Sequence, residues 1–358
     1  MQLTLINEVY GEPVVLATGG LVIGLLFGFF AQRSKFCLRA AVIEFWRHQF
    51  GEKLAVWLLT FSVAVIVIQG LIIGGGLDVS NARQLATRGS LSGALMGGLL
   101  FGAGMIMTRG CASRLLILSA NGNLRALLSG LVFAVTAQSS LSGALSPLRN
   151  QITNLWTIEG GSHRDLLASL GLTHSTGLAV GGIWFLAALY FTTRTTQRAW
   201  MWIGGVGTGM SVALAWWFTY QVSLSSFEVI TIQGITFSGP SAEWLMRVLA
   251  PNPPNIGFDF GLLPGVFVGS FLGAWFGQEL KLEGFKDGYA MTRYIIGAIL
   301  MGFGAMLAGG CAVGAGVTGG AIFATTAWVA LVGMWMGAGL VDRWLDAPLV
   351  RVPTIVQP

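Results

Sequence analysis

The chain has three cysteines, Cys37, Cys111 and Cys311. Cys111 and Cys311 each close a glycine-spaced apolar segment at a break, Arg109-Gly110-Cys111 and Gly309-Gly310-Cys311, with small residues and more apolar sequence after it. Glycine at such a break permits a positive φ, so the pattern predicts helix, elbow, helix. The helix after each elbow would aim its free N–H groups and the positive end of its dipole at the cysteine, which is an anion site. Cys37 ends the run Ala31-Gln32-Arg33-Ser34-Lys35-Phe36-Cys37, whose basic residues also suit an anion. A free cysteine in an apolar protein serves equally well as a small hydrophobe, and for each cysteine alone both readings stay open. Arg109 is the remaining ionisable oddity: a charge at membrane depth marks a substrate path, or it snorkels to the interface.

Other chemistries lack their residues. Structural zinc needs four ligands, and three scattered cysteines without histidines in the apolar runs do not supply them. There is no C-x-x-C run or paired intramembrane histidine for an iron–sulfur cluster or haem. Serine-hydrolase and P-loop signatures are absent, and His163 and His174 stand eleven residues apart in a polar stretch with no further ligand pattern. No metal and no cofactor is expected.

These residues must be held by something, and composition says what. Of 358 residues 54% are apolar, 10% are charged and 52 are glycine, with mean hydropathy +0.72. A soluble domain is about 25% charged, so this chain turns its surface to lipid and reads as an all-α polytopic membrane protein. A helix of roughly 20 apolar residues spans ~30 Å of hydrocarbon. Nine charge-poor runs of about that length occur, near 14–31, 54–75, 91–108, 124–145, 177–193, 199–220, 260–278, 294–308 and 321–341. No basic residue precedes the first run, so the N-terminal tail lacks the n-region of a cleaved signal peptide. With nine spans, one side collects 15 of the 20 Lys and Arg residues, among them Arg33, Lys35, Arg39, Arg47, Lys53, Arg109, Arg114 and Arg125. The other side holds Arg83, Arg88, Arg149, Arg164 and Arg247. The positive-inside rule puts the N-terminus outside and the C-terminus inside, and the net charge of +5 becomes a topology signal, not a nucleic-acid surface. The polar stretches 146–175 and 221–255 fall outside and read as surface loops, with short interfacial helices allowed.

The chain repeats itself. Residues 97–114 and 297–314 coincide at Gly97/Gly297, Leu100/Leu300, Gly102/Gly302, Gly104/Gly304, Gly110/Gly310, Cys111/Cys311 and Ala112/Ala312. Gly20, Gly24 and Gly28 match Gly257, Gly261 and Gly265 at an offset of 237, where Cys37 meets Ala274. The halves are expected at about 14–135 and 257–345, with linking spans and outside loops over 136–256 in a single transport domain. Paired halves with a site at their interface are a transporter pattern, and span counting from the first run to the seventh makes the pair parallel. Glycines four apart, such as Gly24/Gly28, Gly98/Gly102 and Gly333/Gly337, permit close helix approach.

Three pieces of this chain resemble the YeeE/YedE family of bacterial inner-membrane proteins, also called the sulphur-transport domain family. They are Gln32-Arg33-Ser34-Lys35-Phe36-Cys37, Leu100-Phe101-Gly102-Ala103-Gly104 leading to Gly110-Cys111-Ala112, and Met301-Gly302-Phe303-Gly304 leading to Gly309-Gly310-Cys311. The resemblance runs from about residue 15 to 345 and implies nine spanning helices, short helices inserted from both faces, an inverted repeat and an hourglass profile. It implies a thiosulfate transporter, not an enzyme, whose three pathway cysteines match Cys37, Cys111 and Cys311, with Gly110, Gly310 and Arg109 beside them. The anion would be handed along through S–H···S contacts. A small cytosolic sulfur-carrier or rhodanese-like partner is implied, as a separate chain. Thr108-Arg109-Gly110-Cys111 departs from the family's more usual Ala-Gly-Gly-Cys and puts a charge beside the path. The alternatives are transport of another sulfur or selenium species, or a membrane thiol-redox enzyme with Cys111 and Cys311 as its dithiol.

Overall fold

A computed structural model describes residues 11–193, 199–226, 230–249, 256–284 and 288–345. Arg194, Arg198, Lys286, Arg351 and the turn-rich run 250–255 lie outside the described residues. The helices of nine or more residues are α1 (Glu12–Arg33), α2 (Leu38–Trp46), α3 (Glu52–Ile73), α4 (Leu91–Met107), α5 (Ala112–Ala120), α6 (Leu124–Ser142), α7 (Ser146–Asn154), α8 (His174–Thr193), α9 (Ala199–Ser225), α10 (Ser238–Leu249), α11 (Phe258–Phe276), α12 (Gly288–Ala308) and α13 (Thr325–Leu345). A π-helical segment, Ala312–Gly319, lies between the last two. Among the described residues the strands are β1 (Gly89–Ser90) and β2 (Thr157–Ile158), an antiparallel pair.

Every one of the nine apolar runs is a long helix. Local signals set several starts: Pro13 sits in the first turn of α1, Ser90 Oγ accepts from the Gly93 N–H at 2.8 Å, and Asn123 Oδ1 accepts from the Ala126 N–H at 2.9 Å. Seven segments are long and apolar enough to cross a membrane: Glu12–Trp46, Glu52–Ile73, Leu91–Ala120, Leu124–Ser142, His174–Thr193, Phe258–Phe276 and Ala290–Gly319. The other two long helices, α9 with 27 residues and α13 with 21, are richer in tryptophan. The protein is an all-α polytopic membrane protein.

Connections gather at two ends of the bundle. At one, the Arg164 guanidinium donates to Thr87 O at 2.7 Å and Thr326 Oγ1 at 2.7 Å, while the Thr325 N–H donates to Arg164 O at 2.8 Å. Arg164 is buried within the polar stretch 146–175. Burial, and then the like charge of Arg83, lower its pKa to about 10, so it remains charged at neutral pH. At the opposite end Gln32 donates to Glu279 at 2.7 Å, Lys35 pairs with Glu279 at 3.2 Å, and Arg114 donates to Gln32 Oε1 at 3.2 Å. Arg47 grips Asp342 through two bonds of 2.9 Å, tying the end of α2 to the end of α13.

Two expectations are corrected here. Span counting from the first and seventh runs made the repeat parallel, and those helices, α1 and α11, do run in one direction; the 200-residue match joins the third and eighth runs, α4 and α12, and these run antiparallel. A Cβ on Gly97 would meet Gly304 O at 2.6 Å, and one on Gly304 would meet Gly97 O at 2.7 Å. A Cβ on Gly104 would meet Met301 N at 2.7 Å, and one on Gly297 would meet Met107 Cβ at 2.6 Å. Such reciprocal contacts are those of a two-fold axis, so the repeat is inverted. The second correction concerns 221–255: α9 extends to Ser225, and the stretch 232–238 dives into the core, with Ile235, Phe237 and Ser238 buried. Turn-forming and hydroxyl residues gave this stretch a loop's composition, while the burial comes from packing against the π segment.

Candidate functional site

All three cysteines are free thiols, and each immediately precedes a short helix. Cys37 caps α2, with its carbonyl accepting from the Ala41 N–H at 3.2 Å. The Cys111 carbonyl accepts from Leu115 at 2.9 Å and that of Cys311 from Ala315 at 2.8 Å. The first N–H groups of a helix have no partner within it, so a set of free donors starts beside each cysteine. At the matched elbows the third residue on turns its N–H to sulfur: Arg114 to Cys111, and Gly314 to Cys311 at 3.5 Å. Ser113 Oγ lies 3.3 Å from Cys111 Sγ.

The sequence separates these residues by up to 274 positions, and the fold brings them together. Cys37 and Cys311 both lie in the neighbourhood of Cys111. Cys111 and Cys311 are each 1% exposed, and Cys37 is half-buried. At nine residues, about 13 Å, α5 is too short to span the bilayer; it is a broken-helix element, which membrane proteins keep only inside protein or beside a cavity. The π segment is the matching element after Cys311. Its eight residues are Gly, Ala, Val and Thr, all buried, and such widened helices recur at functional sites.

The elbow glycines differ in their constraint. A Cβ on Gly310 would meet Ala315 N at 2.7 Å, so only glycine fits. At Gly110 the nearest atom is a Leu115 methyl at 3.5 Å, an ordinary contact. Gly309 has φ 73° and Arg109, at the equivalent position, φ 58°. Arg109 therefore holds a left-handed backbone that glycine would hold without strain, and its side chain is exposed beside the Cys111 elbow.

Sequence reasoning missed Ser113, Thr236, Ser238 and Thr318, all buried around the elbows. Single hydroxyls among glycines leave no periodic mark; the available hint was the apolar Ile232, Ile235 and Phe237 inside a supposed surface loop. Among the described residues no group of three or more His, Cys, Asp or Glu could hold a metal ion.

The thiosulfate transporter TsuA of Spirochaeta thermophila is 28% identical over 343 residues, covering 90% of this chain and 98% of that protein. The thiosulfate transporter TsuA of Escherichia coli K12 is 26% identical over 343 residues, 90% of this chain and 94% of its own. The probable transporter YedE of E. coli K12 is 33% identical over 108 residues, 29% of this chain and 26% of that one. The sulphur transport family profile matches residues 33–340, and the chain is a multi-pass membrane transport protein that belongs to that family.

Proposed function

We propose that this protein takes up thiosulfate, or a closely related sulfur-containing anion, along a path lined by Cys37, Cys111 and Cys311. The observation that carries the reading is the pair of cysteine elbows related by the α4–α12 axis, each presenting a thiol and a backbone N–H at one point. Thiosulfate has a soft terminal sulfur and hard charged oxygens. An S–H donor suits the first, and N–H groups at a helix start suit the second. The name borne by two relatives over 90% of this chain supports the same substrate. Gly110 and Gly310 shape the elbows, and Arg109 raises the local anion concentration.

The end of the bundle that holds Lys35, Arg47 and Arg114 is assigned to the cytoplasm, because basic residues stay on that side. Thiosulfate then enters from the Arg164 end of a bacterial inner-membrane protein and is passed to a small cytosolic sulfur-carrier or rhodanese-like protein. The test is uptake of radiolabelled thiosulfate in a strain lacking other importers of it, with topology reporters placed after Pro358 and within 250–255. Uptake, with a cytoplasmic C-terminus and a periplasmic 250–255 segment, is expected. No uptake, or reversed reporters, would overturn the reading.

Arg109→Gly separates the two roles open to this residue. Relief of the left-handed backbone is expected to stabilise the protein by ~1 kcal/mol, about 2 °C in melting temperature. If the guanidinium draws the anion in, KM for thiosulfate rises severalfold at the same time. A more stable protein with unchanged KM makes Arg109 an interface anchor.

A further inference from the structure

The inverted correspondence extends beyond α4 and α12. A Cβ on Gly102 would meet Ala338 N of α13 at 2.8 Å, and one on Gly302 would meet Phe133 O of α6 at 2.8 Å. Gly24 and Gly28 of α1 sit on the backbone of α11 from Leu262 to Ser270, while Gly205 and Gly209 of α9 sit on α3 from Val56 to Val63. Thus α1, α3, α4 and α6 correspond to α9, α11, α12 and α13, which makes the halves 12–142 and 199–345. The short helix after Cys37, α2, then corresponds to α10, which Thr236-Phe237 leads into at Ser238. A fourth elbow, without a cysteine, stands in the place that Cys37 occupies in the first half.

This elbow faces Cys311. Thr236 Oγ1 occupies the space where a Gly314 side chain would be, and the Gly314 N–H points to Cys311 Sγ. Thr318, in the π segment, donates to Ile235 O at 2.6 Å and fixes the stretch there. The hydroxyls themselves are unusual. Elsewhere in the core Thr208, Thr219, Ser140 and Ser270 donate to backbone carbonyls. Thr236 and Ser238, 8% and 3% exposed, show among the described residues only each other, at 3.5 Å. That separation satisfies neither donor, and buried hydroxyls normally have a partner.

We propose that Thr236 and Ser238 are specificity-determining residues of the path, their hydroxyls hydrogen-bonding the oxygens of the sulfur anion while the Cys311 thiol meets its sulfur. The inference rests on the anion-path reading above and adds to it a division of labour. The first half presents two thiols, Cys37 and Cys111; the second presents one thiol and two hydroxyls. An anion carrying both sulfur and oxygen satisfies the second set, whereas a sulfur-free oxyanion leaves the thiol unused.

The experiment measures radiolabelled thiosulfate uptake, in cells without other importers, for Ser238→Ala, Thr236→Val, the double variant, Thr236→Ser and Thr318→Val, with melting temperatures of the purified proteins. Loss of a hydrogen bond to a charged group weakens binding about tenfold or more. Each of the first two variants should therefore raise KM about tenfold, with Vmax and melting temperature near wild type, and Thr236→Ser should restore KM. Thr318→Val, which loosens the stretch without removing either hydroxyl, should lower the melting temperature and move KM by less than either hydroxyl variant does. A double variant with wild-type KM overturns the proposal, as does Thr318→Val reproducing the whole KM change, since the hydroxyls would then only hold the segment in place. If the double variant does not fold, Ser238→Ala decides alone. Wild-type KM in these variants while Cys311→Ala has lost uptake refutes this inference and leaves the path reading standing; no uptake by the wild type refutes both.

Discussion

Cys311→Ala and Cys111→Ala are each expected to bring thiosulfate uptake to background, at least a hundredfold below wild type, in protein that reaches the membrane in normal amount. Cys311 and Cys111 are each 1% exposed, yet the truncation removes a single sulfur atom from a site lined by small residues. The stability cost should be near 1 kcal/mol, because a buried thiol packs as a small hydrophobe. A large functional loss beside a small structural one separates a pathway cysteine from a packing cysteine. Serine at position 111 keeps a hydroxyl within reach of Ser113, but the hydroxyl is shorter and harder than the thiol it replaces. Uptake through Cys111→Ser should stay below a tenth of wild type. Cys37→Ala belongs to the same experiment and should behave alike. Near-normal uptake in any one of the three would remove that cysteine from the path, and loss of folding along with uptake would make it structural.

The membrane architecture and the two matched elbows were legible in the sequence; the path between them was not. Apolar runs of the right length mark spanning helices because lipid leaves the backbone no other partner than itself. The 200-residue offset was legible because Gly97, Gly104, Gly297 and Gly304 touch each other across the axis, so the same small residue is required at each. The 237-residue match has a different origin in space. α1 and α11 lie side by side and parallel: a Cβ on Gly265 would meet the Leu21 backbone at 3.0 Å, and one on Gly28 would meet Ser270 N at 2.9 Å. Two helices that pack closely through glycine acquire similar spacing whether or not they are repeats of each other. Parity taken from the 237-residue pair gave the wrong sense for the repeat, because α1 and α11 are neighbours and not mates; the third and eighth runs, α4 and α12, have opposite parity in the same count. The 230–238 stretch was hidden because backbone inserted into a membrane protein needs polar partners and looks, residue by residue, like a surface loop.

Gly104→Ala should destabilise the protein by about 3 kcal/mol, close to 10 °C in melting temperature, although it adds one methyl group. That methyl would meet the backbone of α12, with Met301 N at 2.7 Å and Gly297 O nearer still, and backbone cannot swing aside as a long side chain can. The helices would have to separate, and because they carry Cys111 and Cys311 at their ends, uptake should fall with stability. Gly130→Ala is the control: it lies within α6 with nothing within 4 Å of its added carbon. There the same substitution should stabilise by ~0.5–1 kcal/mol, the ordinary gain when alanine replaces glycine in a helix. The sign is thus set by the neighbour and not by the residue. Gly304→Ala, the two-fold mate of Gly104→Ala, should cost about as much alone. The double variant should cost less than the two together, because helices already spread by one methyl make room for the other. Simple additivity would mean that the two contacts yield independently and that the α4–α12 pair does not move as one unit.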